Sequence, residues 1–399
     1  MAYIRDENLI TKPKITLGGK KEARQTYGFD DIALAPGKVT LDIELCDTSF
    51  ILGKHKFDFP IIASAMDSVV SPKTACLINK LGGLAVLNLQ GIYTRYLNYE
   101  EILRKISEID NNSFVPLMQE LYKEPVKEAL IVKIIKEIKS SGAICAVSST
   151  PGLANIYGPA AQNAGADIFV VQSTVVSVEH KSLDPSSQFN LKDFVQKMKI
   201  PVMVGNCVTY EVALEYMHSG ASAILVGIGP GAACTSRGVL GIGVPMASAI
   251  ADCASSRDDY FLKTGRYVHV IADGGMSASG DICKAIACGA DGVMIGSPLA
   301  KAKEAPGGSY HWGMATPNPV LPRGTRIKVT TTGTLKEILL GPAKVDDGSQ
   351  NLVGALKTSM ATLGASNIKE MQEVEVVIAP SILTEGKLLQ RTQKIGMGK

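Results

Sequence analysis

Five times along this chain a glycine pair or a Gly-Ala closes a helical stretch and leads straight into a short apolar run. The segments are NKLGGLAVLN (79–88), KSSGAICAVS (139–148), QNAGADIFVV (162–171), HSGASAILVG (218–227) and ACGADGVMIG (287–296). Glycine suits the left-handed turn that ends a helix. A short apolar run without alternation fits a strand covered on both faces, as in a parallel sheet. FPIIASAMD (59–67), IPVMVGN (200–206) and RYVHVIADGG (266–275) have the same apolar character and each ends in small or polar residues. Helical stretches such as EALIVKIIKEIKSS (128–141) and TYEVALEYMHS (209–219) lie between them. Alternation of strand and helix makes βα units. Together these eight apolar runs predict an α/β fold of the closed (β/α)8 TIM-barrel type, with its core at about 58–300. A doubly wound open sheet is the alternative.

At 399 residues, 46% hydrophobic and 20% charged, the chain can bury a large core. Barrels of this kind reach such a length as one domain, so no second domain is expected. The segment 305–399 then carries a short flap and a C-terminal piece. With 41 basic against 38 acidic residues the net charge is +3. That near balance gives no reason to expect nucleic acid or a membrane as partner. The N-terminal MAYIRDENLI has no apolar run of the signal-peptide kind, and no apolar segment reaches transmembrane length, so a cytoplasmic location is expected. The eight cysteines (Cys46, Cys76, Cys145, Cys207, Cys234, Cys253, Cys283, Cys288) form no Cys-x-x-Cys pair. Neither a zinc site nor a compact disulfide framework is expected, and most of these thiols read as small buried hydrophobes. Cys234 is the exception.

Active sites of such barrels lie at the C-terminal ends of the strands. The residues there are Ser64, Met66 and Asp67; Ser148 and Ser149; Gln172 and Ser173; Gly205 and Asn206; the loop VGIGPGAACTSRG (226–238); Asp273, Gly274 and Gly275; and Gly296 with Ser297. The loop is neither a Walker A motif nor a dinucleotide fingerprint, since Cys234 stands where a glycine or alanine would follow. ADGGMSASGD (272–281) and MIGSP (294–298) bring glycines to two successive strand ends, a usual barrel device for holding a phosphate. Plain tight turns are the alternative for either loop alone; together, with Asp273 placed to accept ribose hydroxyls, they favour a nucleotide. Backbone N–H groups at a helix start favour a thiolate, which attacks electrophilic carbon, with Thr235 and Ser236 able to relay protons. From the residues alone, a nucleophile and a structural cysteine both remain open. Arg237 reads as a cofactor or phosphate contact or a surface ion pair, His311 as a phosphate contact or a surface histidine, and Trp312 as a base neighbour or a core or interface residue. The basic tail LLQRTQKIGMGK is either mobile or packed at a subunit interface.

Long stretches of this chain resemble the IMP dehydrogenase / GMP reductase family. They are PVMVGNCVTYEVALEYMHSGASAILVGIGPGAACTSRGVLGIGVPMASAI, VIADGGMSASGDICKAIACGADGVMIGSPLA, YGFDDIALAPG, FPIIASAMDSVVSP and LVGALKTSMATLGASNIKEMQ. The resemblance implies a (β/α)8 barrel, usually a homotetramer, acting on IMP or GMP. In this family a cysteine bonds to C2 of the purine and hydride passes between that carbon and a nicotinamide, NAD or NADPH. On the matching positions it implies Cys234 as nucleophile and Ser236 in the place of a proton-relaying threonine. Ser64 and Met66 would contact the nucleotide, Asn206 would brace the loop and Asp273 would hold the ribose. Gly274, Gly275, Gly296 and Ser297 would cradle the phosphate, and Gly313 and Met314 would meet the base. Carbonyls of Gly229, Gly231 and Cys234 match those that bind a monovalent cation such as K+ in some members. Gln172 and Ser173 fall where the cofactor contacts an acidic residue and a serine.

The departures bear on the direction of reaction. The dehydrogenases usually insert paired regulatory CBS modules where this chain has only residues 92–125, too few for them. They also carry a long flap whose Arg-Tyr pair activates water, whereas the seven residues between Met314 and Pro322 are ATPNPVL, with no tyrosine. Both absences favour GMP reduction, with NADPH, over IMP oxidation, with NAD. Against this, Arg323 replaces the Glu or Gln that both branches use, Ala232 replaces a phosphate-contacting serine, and His311 a tyrosine. Arginine is not a neutral base at ordinary pH, so at the substrate site Arg323 would stabilise negative charge. A nucleotide-binding regulator without turnover is the alternative from another class.

Overall fold

The computed structural model describes residues 14–176, 189–313, 325–381 and 386–396. Eight parallel strands close into a barrel in sequence order: β1 Ile61–Ala63, β2 Leu84–Asn88, β3 Ala146–Ser149, β4 Ile168–Gln172, β5 Val202–Cys207, β6 Ala223–Val226, β7 His269–Asp273 and β8 Gly292–Ile295. Closure is made by β8 on β1, with Val293 opposite Ile61 and Ile295 opposite Ala63. All eight correspond to the eight apolar runs of the sequence. The five recurring glycine signals are turns in the left-handed region, at Gly82, Gly142, Gly165, Gly220 and Gly289, with φ between 79° and 110°.

The lack of alternation has a direct cause. Alternate residues of each strand enter different cores, and both are dry. Ile62, Val86, Ile168, Val170, Met203, Leu225, Ile271 and Met294 fill the barrel interior. Ile61, Ala63, Leu87, Phe169, Val204, Ile224, Val270 and Val293 pack outward under the helices. Phe50, Leu52 and Phe57, from an antiparallel hairpin of strands 50–52 and 55–57, join the inner core. Phe50 meets the ring of His269, the first residue of β7, edge-on at 5.0 Å, which puts this plug at the N-terminal mouth and leaves the other mouth open.

The region 92–125 forms two helices, Tyr99–Glu108 and Asn111–Leu121, before the longer helix Glu128–Ser140. They are tied to the barrel by Asp67 after β1. Its carboxylate accepts from the Ile92 N–H at 2.8 Å and from the Tyr122 hydroxyl. Burial raises the Asp67 pKa and pushes the Tyr122 hydroxyl well above its ordinary value. Asp67 thus holds structure together rather than facing a ligand. At the other end of the chain, Val376–Ile378 pairs antiparallel with Ile32–Leu34. Among the described residues no helix is long and apolar enough to cross a membrane.

Candidate active site

A cavity of about 1090 Å³, counted to its open mouth, occupies the C-terminal end of the barrel. It is lined by residues from every part of the ring except the ends of β2 and β3: Ser148 and Ser149 lie buried beside it and are not among its lining residues. The expected residues Ser64, Met66, Gln172, Ser173, Asn206, Gly229, Gly231, Cys234, Ser236, Asp273, Gly274, Gly275, Gly296, Ser297 and Gly313 all line it. Met314 and Arg323 lie outside the described residues.

Asp273 ends β7 at the cavity floor. Its Oδ2 accepts from Asn206 Nδ2 at 2.7 Å and from Gln172 Nε2 at 2.9 Å. Desolvation raises its pKa to about 6 against the pull of those two donors. The group is therefore ionised at neutral pH and able to accept hydroxyl hydrogens from a ligand. Asn206 Nδ2 also donates to the Gly227 carbonyl at 2.8 Å, joining the Asp273 carboxylate to the base of the cysteine loop. Behind Asp273 the chain turns through Gly274 and Gly275 at φ +79° and +77°. A Cβ on Gly275 would sit 2.8 Å from Pro230, so only glycine lets this turn pass under the cysteine loop. At the end of the neighbouring strand β8, Gly296 precedes the short helix Ser297–Ala300.

The cysteine loop closes on itself through the Cys234 N–H, which donates to the Gly231 carbonyl at 3.0 Å. The side chain of Cys234 is exposed, and its thiol lies 3.4 Å from the buried hydroxyl of Ser236. The following helix, Ser236–Leu240, starts two residues beyond the cysteine, so Cys234 stands ahead of the first turn rather than within it.

Arg237 takes neither of the roles considered for it. Nε donates to the Ile228 carbonyl at 3.2 Å and Nη2 to the Val244 carbonyl at 2.9 Å. Its side chain fills the space where a Cβ on Gly229 or Gly243 would stand, 2.7 Å and 2.8 Å from its atoms. It ties the start of the cysteine loop to the segment after the helix Ser236–Leu240. His311 lines the cavity and is buried, not on the surface. Desolvation lowers its pKa to about 4, so the ring is neutral. Trp312 is fully buried in the core. Ala232 is exposed and does not line the cavity. The hairpin Tyr310–Trp312 with Arg326–Lys328, which flanks the stretch 314–324, had no local signal in the sequence.

A thiol, a carboxylate and three glycine turns face one cavity. Residues 26–316 match the family model of the IMP dehydrogenase / GMP reductase domain. The chain belongs to the IMP dehydrogenase / GMP reductase family. Among its relatives is an "uncharacterized oxidoreductase" of Mycolicibacterium smegmatis, 38% identical over 91% of this chain and 99% of that one. An inosine-5'-monophosphate dehydrogenase of Cryptosporidium parvum is 30% identical over 88% of this chain and 92% of its own length. The crystal structure of an IMP dehydrogenase/GMP reductase-like protein from Corynebacterium glutamicum superposes with a TM-score of 0.87 at 37% identity, covering 92% of this chain and 98% of that one. As an IMP dehydrogenase / GMP reductase family member, the chain is an oxidoreductase of the family's nicotinamide-dependent kind.

Proposed function

We propose that the cavity oxidises IMP to XMP, with Cys234 bonding to C2 of the purine. The observation that carries this reading is the placement of the exposed Cys234 thiol and the ionised Asp273 on one cavity with the Gly274, Gly275 and Gly296 turns. Asp273 would accept the ribose hydroxyls, and the glycine turns with Ser297 would take the phosphate on backbone N–H groups. Ser64 and Met66 would contact the nucleotide, Gly313 and Met314 the base. The Cys234 sulfur adds to C2, and Ser236, in contact with the thiol, relays its proton. Gln172 and Ser173 line the same cavity with neutral polar groups that fit the nicotinamide ribose; NAD is the acceptor that the oxidative direction calls for. Bound there, a nicotinamide supplies the acceptor for the hydride lost from C2. Cys234 then holds the oxidised base as a thioimidate until water adds to C2. One water proton passes to the ring nitrogen of the C=N bond, the other returns through Ser236 to the sulfur as it leaves with its electron pair, and the water oxygen remains as the new carbonyl of XMP. A monovalent cation such as K+ would sit on the carbonyls of Gly229, Gly231 and Cys234, and a homotetramer would be the working form.

Oxidation is preferred on chemical inventory. Loss of ammonia from GMP needs a proton donor beside the amine. Among the described cavity residues the acids are Asp273, held by Asn206 and Gln172, and His311, neutral through burial. The stretch 314–324, which the family resemblance assigns to the substrate site, has Arg323 as its only ionisable side chain in sequence. An arginine stabilises a hydroxide-like oxygen once the attacking water has given up its proton, but it is a poor proton donor to a leaving amine. The Cryptosporidium relative is named a dehydrogenase, in keeping with this direction. A second reading, reduction of GMP to IMP and ammonia with NADPH, is favoured by the seven-residue stretch without tyrosine between Met314 and Pro322. Absorbance at 340 nm separates the two: a rise with IMP and NAD supports oxidation, a fall with GMP and NADPH supports reduction. Tight IMP binding by calorimetry with neither change would make the chain a nucleotide-binding regulator.

A further inference from the structure

Where the resemblance places an acidic residue in contact with the cofactor, this chain has Gln172, and its amide is turned onto Asp273. An ionised carboxylate only accepts hydrogen bonds, so the atom facing Asp273 is the amide nitrogen. The same Oδ2 also takes Asn206 Nδ2, so both donors hold one carboxylate oxygen. Oδ1 is left for a ligand in the cavity. The amide oxygen of Gln172 is likewise left without the Asp273 contact, on a residue that lines the cavity. The backbone locks the arrangement. Ser173 N–H donates to the Gly205 carbonyl at 3.0 Å, and the Asn206 N–H donates to the Ser173 carbonyl at 3.1 Å.

We propose that Gln172 is a positioning residue that links the nucleotide and nicotinamide halves of the site. Its amide nitrogen fixes the Asp273 carboxylate for the nucleotide's ribose hydroxyls, and its amide oxygen accepts a hydroxyl of the nicotinamide ribose. This rests on the nucleotide reading of the cavity. A carboxylate in its place would serve the cofactor half but repel Asp273. A neutral amide serves both, one atom to each side. Asp273 is faced by Gln172 from β4, Asn206 from β5, the Gly227 backbone after β6 and Met294 from β8. Burial and the two amide donors are what act on its ionisation; no charged group contributes.

The test is calorimetric titration of the full chain with IMP alone, from about pH 5.5 to about pH 8, alongside the KM for NAD. Gln172→Leu is expected to weaken IMP roughly tenfold at neutral pH, because a hydrogen bond to a charged group is lost. It should also move the acid limb of IMP binding to higher pH and raise the KM for NAD. Gln172→Glu, nearly isosteric and so the safer variant for folding, is expected to weaken IMP further through the facing carboxylates. Asp273→Asn is the reference that separates the two readings. If Asp273→Asn abolishes IMP binding while both Gln172 variants bind IMP with wild-type affinity and pH limb, the link is overturned and the nucleotide reading stands. A loss confined to NAD, with IMP unchanged, overturns the link equally. If Asp273→Asn itself binds IMP normally, the nucleotide reading fails and the proposal with it.

Discussion

The hydroxyl of Ser68 lies 3.2 Å from Nδ1 of His311, joining the chain after β1 to the hairpin strand that walls the cavity. The same oxygen accepts from the Trp312 N–H at 3.2 Å. His311 is 2% exposed, and its ring is where a Cβ on Gly296 would meet it, at 3.3 Å. This contact shapes the cavity wall around an imidazole that burial keeps neutral.

Stability should therefore fall on mild acidification. The folded chain holds His311 at about 4 against an ordinary 6.5. Between those values the unfolded chain binds the proton and the folded one does not, so stability is full above about 6.5 and is lost as pH falls towards 4. Urea unfolding at several pH values should show this slope, and His311→Gln should flatten it. An unchanged slope in that variant would place the acid sensitivity elsewhere.

Asp273 carries the opposite sign. Its folded pKa, about 6, stands above the ordinary 3.8. Its contribution is favourable at acid pH and is lost as pH rises through 6, so at neutral pH the charge costs stability. Asp273→Asn is expected to raise the unfolding free energy at neutral pH by about 1 kcal/mol, after discounting for its partly open position. The same variant should lose IMP binding. A stability gain coupled to a binding loss would mark the residue as strained for a ligand.

Arg237 ties the start of the cysteine loop, at the Ile228 carbonyl, to the Val244 carbonyl beyond the following helix from an exposed position. Arg237→Ala should cost little global stability, under about 1 kcal/mol, since both partners can turn to water. Turnover should fall because the loop loses its brace. Steady-state kinetics and a thermal melt on one preparation check the pair of outcomes, and equal loss in both would contradict this role.

Arg326 fastens the helices of 92–125 to the hairpin beside the cavity. Its guanidinium lies 4.0 Å from the Tyr310 ring centroid and 4.9 Å from that of Phe114. It donates to the carbonyls of Ile106 and Ile109 at 2.6 and 2.7 Å and to Asn111 Oδ1 at 2.8 Å. Arg326→Ala should cost about 3 kcal/mol, and Arg326→Lys should recover little, because an ammonium cannot stack and fork at once. Denaturant unfolding of the two variants measures both.

Much of this was legible in the sequence because the informative signals are local. A glycine that must turn left-handed and a strand that must be apolar on both faces leave their mark within ten residues, which is why all eight strands could be read. The cavity residues followed because barrel strands deliver their C-terminal ends to one rim. What could not be read is set by contacts distant in sequence. Ile32–Leu34 finds Val376–Ile378 across the whole chain, and neither segment signals the other. Arg237 looks like any loop arginine until its carbonyl partners are placed. His311, a polar residue in a short loop-like stretch, carries no sign of burial, since its partner Ser68 lies far along the chain. Gln172 likewise gives no local sign of its partner, since its amide reaches Asp273 on a strand far along the chain.

The central claim is that the Cys234 sulfur bonds to the purine. Cys234→Ala removes that atom from an exposed position and should leave IMP binding by calorimetry intact. With IMP and NAD, NADH formation at 340 nm should drop by on the order of a thousandfold or more in this variant. NADH formation at the wild-type rate would contradict the account.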